Sequence, residues 1–100
     1  MKYNKLVRDR IPVTIKKKGG KPVTHIANGK EYWEKLLDKL EEEVKEFSES
    51  PNEEELADIL EVIETICEFK NINRAQLETL RKKKAKERGG FKKRIILEES

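Results

Sequence analysis

The sequence predicts a mainly α fold: an antiparallel helical hairpin plus a further helix forming a bundle, with a small two-stranded sheet from residues near 21–27 and 91–97. Three observations lead there. Between Lys30 and Lys70 the apolar residues recur at 3-and-4 spacing, the mark of helices with one buried stripe. Ser50-Pro51-Asn52 interrupts that pattern as a turn would. Two short stretches outside it, each preceded by a glycine pair, read as strands.

The opening M-K-Y-N-K-L-V-R-D-R-I-P is basic, and Tyr3, Leu6, Val7 and Ile11 are apolar enough to dock on a core. Lys5, Arg8 and Arg10 either reach phosphates or remain surface charge. Pro12 suits the first position of a short helix over Val13 to Lys18, ended by Gly19-Gly20. Lys21 to Ala27 is the first expected strand, and it holds the lone histidine, His25, read as a surface or hydrogen-bonded structural residue. Lys30 to Glu49 forms the first long helix, with Trp33, Leu36, Leu37, Leu40, Val44 and Phe47 as its stripe. Glu53 to Lys70 forms the second, with Leu56, Ile59, Leu60, Ile63, Ile66 and Cys67, and with acids at the positive end of its dipole. Asn73 is placed to cap a third helix, Arg74 to Arg88, which points Leu77 and Leu80 inward and stops at Gly89-Gly90. The run F-K-K-R-I-I-L-E is the second expected strand.

One hundred residues suit a single domain with a thin core, since about a third are hydrophobic. Such a chain gains stability by pairing with a second copy. Charge is segregated: residues 2–30 and 81–94 are basic and 31–68 acidic. An acidic centre repels a duplex, which argues against nucleic acid as partner despite the basic ends. A single cysteine excludes an intrachain disulfide, and Cys67 falls in an apolar stripe as a core thiol would. With neither a signal-peptide pattern nor a long apolar run, a soluble cytoplasmic protein with no membrane partner is expected.

The acids of the hairpin carry the chemistry. Glu43 and Glu46 are three apart on the first helix, and Glu55 and Asp58 three apart on the second, so each pair shares a face. Counted from Pro51, Glu46 and Glu55 lie five and four residues away, and Glu43 and Asp58 eight and seven. A short connection makes the helices antiparallel neighbours, so the two pairs stand at nearly equal height. Four converging carboxylates repel unless a cation sits among them, and oxygen-only ligands suit Mg²⁺, with Mn²⁺ as a substitute. The competing reading is a solvated acidic face. Glu43 borders the apolar stripe, where charge costs desolvation, and that favours the metal.

Glu42-Glu43-Val44-Lys45-Glu46 followed by Glu55-Leu56-Ala57-Asp58 resembles the EExxE…ExxD signature of the all-α nucleotide pyrophosphohydrolases, the MazG superfamily. The opening Y-N-K-L-V-R-D-R-I-P and the closing K-E-R-G-G-F-K-K-R-I-I-L-E resemble its small phosphoribosyl-ATP pyrophosphohydrolase-like members. The resemblance implies cleavage of a nucleoside triphosphate between the α- and β-phosphates, giving monophosphate and pyrophosphate in nucleotide-pool housecleaning. It implies Mg²⁺ on Glu43, Glu46, Glu55 and Asp58, and Glu42 as the residue that positions or deprotonates the attacking water. It implies phosphate binding by Lys5, Arg8, Lys86 and Arg88, and a homodimer or homotetramer. Eight residues separate Glu46 from Glu55, fewer than in many superfamily members. Two alternatives stand beside this reading: phosphoribosyl-ATP hydrolysis in histidine synthesis, and a non-enzymatic helical module that docks on a partner protein.

Overall fold

The computed structural model describes residues 4–100, so Tyr3 lies outside the described residues. They form four helices in chain order: α1 (Ile11–Lys17), α2 (Gly29–Glu49), α3 (Glu53–Phe69) and α4 (Arg74–Arg88). The chain divides into two compact units, Met1–Ile63 and Glu64–Ser100, with α3 contributing to both.

In the first unit, α1 opens with Pro12 in its first turn, where a missing N–H costs nothing. It closes on a left-handed residue, Gly19, at φ +88°. The Gly20 N–H donates to the Ile15 carbonyl and the Gly19 N–H to that of Lys16, at 2.9 and 3.0 Å, the paired bonds of a Schellman ending. A Cβ at Gly20 would stand 2.6 Å from Ile15 Cγ2, so a larger residue there would force that side chain or the turn to shift.

The longest helix, α2, starts one residue earlier than its apolar pattern suggests. Asn28 caps it, its side-chain oxygen accepting from the Glu31 N–H at 2.9 Å. After a three-residue link, Asn52 does the same for α3, accepting from the Glu55 N–H at 2.9 Å. Leu36 and Glu43, two turns apart on α2, are buried, and Leu40 and Phe47 on the same line are half-buried. On the α3 side of this unit Val62 is buried, while Glu55, Asp58 and Ile59 are half-buried. Leu37 and Val44 of the expected stripe are 40% and 47% exposed, so the inward line runs Leu36–Leu40–Glu43–Phe47, and a glutamate stands where an apolar side chain would be expected.

In the second unit, α3 ends by the same device as α1. Asn71 is left-handed at φ +56°, the Ile72 N–H donates to the Cys67 carbonyl at 2.8 Å and the Asn71 N–H to that of Glu68 at 3.3 Å. Cys67 is free and buried, as its place in the stripe predicts. Asn73 caps α4 by accepting from the Gln76 N–H at 3.0 Å. The bounds of α4 match the sequence reading. Leu77 is half-buried, whereas Leu80 is 50% exposed.

The expected two-stranded sheet is corrected: no strand occurs among the described residues. Both stretches are irregular. Val23 and Ile26 in the first are almost fully exposed, as is Phe91 in the second, and Ile95, Ile96 and Leu97 are mostly so. A two-stranded ribbon needs an apolar surface beneath it, and none covers these side chains. Arg94 moreover adopts φ +58°, with a turn bond from its N–H to the Phe91 carbonyl, and a left-handed residue cannot continue a strand. No helix among the described residues is long and apolar enough to cross a membrane.

Candidate metal centre

The carboxylates of Glu43, Glu55 and Asp58 each bring one oxygen within 4.8 Å of the others. Local structure explains the placement. Glu43 lies on the buried line of α2. Glu55 is held by its own backbone, whose N–H is fixed by the Asn52 cap, and Asp58 follows one turn later on the same face. That the second half of α2 meets the first half of α3 across three linking residues makes the helices antiparallel here, as the spacing requires. Glu46 lies one turn beyond Glu43 and is half-buried; it is not one of the three converging carboxylates, but its charge acts on Glu43.

Glu43 is 6% exposed. Its Oε1 lies 3.3 Å from Lys39 Nζ, while its Oε2, like Glu55 Oε2, is buried with no hydrogen-bond partner. Burial pushes the Glu43 carboxyl above its ordinary range; Lys39 opposes this, and the charges of Glu46 and Asp58 reinforce it. An orphaned, buried carboxylate oxygen is costly, and here two stand on neighbouring helices whose carboxylates converge with a third. The donor set, all carboxylate oxygen, fits a hard divalent ion such as Mg²⁺ or Mn²⁺.

Cations of the chain surround the cluster. Arg8 Nη2 donates to Asp58 Oδ1 at 2.6 Å. Glu42 is held by Lys5 Nζ at 3.1 Å on one oxygen and by Lys39 Nζ at 3.4 Å on the other. Burial alone would raise the Glu42 carboxyl, but the two lysines together outweigh it and hold the group below its ordinary range. Adjacent residues are therefore driven in opposite directions. Lys5, Lys35 and Lys39 line an indentation of about 30 Å³ with Asn4, Leu6, Asp38 and Glu42.

The structure thus brings together Lys5, Arg8, Glu42, Glu43, Glu55 and Asp58 of the expected site residues. Lys86 and Arg88 stand exposed in the last turn of α4, in the second unit. Sequence reasoning missed Lys39, although its spacing of three and four from Glu42 and Glu43 is the pattern of helical ion pairs. His25 is exposed and pairs with Glu31 at 2.9 Å, in keeping with a hydrogen-bonded surface residue. Trp33 is half-buried in the first turns of α2.

No protein-family model matches the chain, and neither a curated protein nor a solved structure matches it.

Proposed function

We propose that the protein is a Mg²⁺-dependent nucleoside triphosphate pyrophosphohydrolase of the MazG type, cleaving between the α- and β-phosphates to release monophosphate and pyrophosphate. The observation that carries the reading is the pair of buried, partnerless oxygens on Glu43 and Glu55, converging with Asp58. Glu43, Glu55 and Asp58 hold the cation, with Glu46 close enough for its charge to be felt at Glu43. A divalent ion held there would supply neutralisation of phosphate charge.

The rest is done by side chains. Glu42, held ionised between two lysines, accepts a hydrogen bond from the attacking water and sets its direction. It positions that water or accepts its proton as the water attacks. Lys5 and Arg8, which pair with Glu42 and Asp58, are assigned to the phosphates that such an ion would gather. No covalent nucleophile takes part. The half-exposed Leu37, Val44, Leu56 and Leu60 suit burial against a second copy in a homodimer or homotetramer.

The test is a panel of ordinary and modified nucleoside triphosphates, phosphoribosyl-ATP included, incubated with and without Mg²⁺ and resolved by chromatography. Monophosphate plus pyrophosphate, formed only with the metal, is expected. Diphosphate plus orthophosphate would refute the cleavage position, and absence of turnover in a folded sample indifferent to Mg²⁺ would favour the interaction module. Asp58→Asn should keep the fold and lower turnover by roughly tenfold or more, since even ligands' outer partners are worth that much. Wild-type turnover in that variant would remove Asp58 from the metal site.

A further inference from the structure

The third carboxylate of the cluster differs from the other two. Glu43 and Glu55 each present a buried oxygen with no partner, but Asp58 Oδ1 is engaged by Arg8 at 2.6 Å. The two cations nearest the trio are also unlike. Lys39, beside Glu43, is 18% exposed and grows from the same helix four residues back, so it is a fixed counter-charge. Arg8 reaches Asp58 from fifty residues away in sequence, on the irregular segment before α1, with its side chain 59% exposed and that of Asp58 36% exposed. A pair that open to water is worth little, so Arg8 can leave at small cost.

We propose that Arg8 is the built-in, exchangeable counter-ion of the cation site: it holds Asp58 while the site lacks a divalent ion, gives Asp58 up when the ion enters, and is thereby freed to bind a phosphate of the incoming nucleotide. This rests on the metal reading above and adds to it a competition between one side chain and the ion. It makes cation affinity in the absence of nucleotide lower than the three carboxylates alone would give. It also gives nucleotide binding a positive coupling to the ion, because the released guanidinium gains a new anionic partner suited to its planar fork. No covalent bond is made or broken in the exchange.

The experiment is calorimetric titration of the 100-residue chain with Mg²⁺ alone, without nucleotide, for the wild type, Arg8→Gln, Arg8→Lys and Arg10→Gln. Arg10 is exposed and two residues away, so its loss changes net charge equally and controls for diffuse electrostatics. Arg8→Gln should tighten Mg²⁺ binding about two- to fivefold, the range an exposed pair sustains. Arg8→Lys should tighten it less, and Arg10→Gln should leave it within the error of the wild type. With Mg²⁺ present, Arg8→Gln should in turn weaken the binding of inorganic pyrophosphate. Unchanged or weaker Mg²⁺ binding in Arg8→Gln, or an equal gain in Arg10→Gln, would overturn the exchange while leaving the metal site in place. A folded wild type that binds no Mg²⁺ would overturn the exchange and the metal reading together.

Discussion

Replacing Glu43 with glutamine should make the metal-free protein more stable and remove most of its stabilisation by Mg²⁺. Glu43 is 6% exposed, and its Oε2 has no partner. An unsatisfied buried polar atom costs about 1–3 kcal/mol, and more when charged. Glutamine keeps a polar atom there but removes the excess cost of the charge, and with it the repulsion from Glu46 and Asp58. Against this stands the lost contact with Lys39 at 3.3 Å, worth at most about 1 kcal/mol, because Lys39 keeps Glu42. The balance is a gain of about 1 kcal/mol, or about 4–8 °C in Tm for a domain of this size. The sign depends on pH. A carboxyl whose pKa is raised by folding favours the folded state while protonated; that contribution is lost as pH rises from the unfolded value, near 4.5, through the higher folded one. The advantage of Glu43→Gln should therefore develop across that window and vanish below it. With Mg²⁺ the order reverses: the wild type gains about 2.7 kcal/mol at a hundredfold excess over Kd, and the variant loses most of that gain. Thermal melts followed by far-UV circular dichroism, with and without Mg²⁺, measure both effects. A metal-free variant that melts below the wild type, or one that retains the full Mg²⁺ shift, would refute the reasoning.

Glu42→Gln should show the opposite pH signature. The lysines hold the Glu42 carboxyl below its ordinary value, so its contribution is present above about 4.5 and lost as pH falls through the folded value; the variant should be less stable by about 0.5–1 kcal/mol at neutral pH and equal to the wild type in acid, as melts across pH would record. Asn52→Ala should cost about 1 kcal/mol in urea unfolding by removing the α3 cap. Because that cap anchors the backbone of Glu55, it should also weaken Mg²⁺ binding measured by calorimetry, whereas an effect on stability alone would separate the cap from the site.

What could be read from the residues was what depends on near neighbours. Helix spans follow from periods of three and four, and α4 from Asn73 and Gly89, because both caps are local events. The facing of Glu43 with Glu55 and Asp58 also followed, since a three-residue link and a fixed rise per residue leave little choice. The sheet is absent among the described residues: a seven- or eight-residue stretch is weak evidence of a strand without a partner and a surface below it, and both are non-local. The stripe on α2 was drawn too wide for the same reason: spacing admits Leu37 and Val44 equally with Leu36, and only packing excludes them. The contacts of Arg8 with Asp58 and of Lys5 with Glu42 span fifty and thirty-seven residues, so no spacing rule could find them. Lys39 is the one omission for which the signal was present.

The burial pattern also explains why a thin core tolerates a glutamate in its inward line. Among the described residues only Leu36, Val62 and Cys67 are buried apolar side chains, so an apolar residue at position 43 would have added to a core that needs it. Replacing such a buried ionic arrangement by hydrophobic groups is often stabilising. A fold this sparing of apolar burial that still places a carboxylate there, and leaves one of its oxygens without a partner, gives up stability at the position where a divalent ion would return it. The surrounding cations fit the same account. Lys39 and Arg8 offset part of the repulsion, yet neither satisfies the two inner oxygens; under the proposed metal reading, a small, doubly charged ligand would do so.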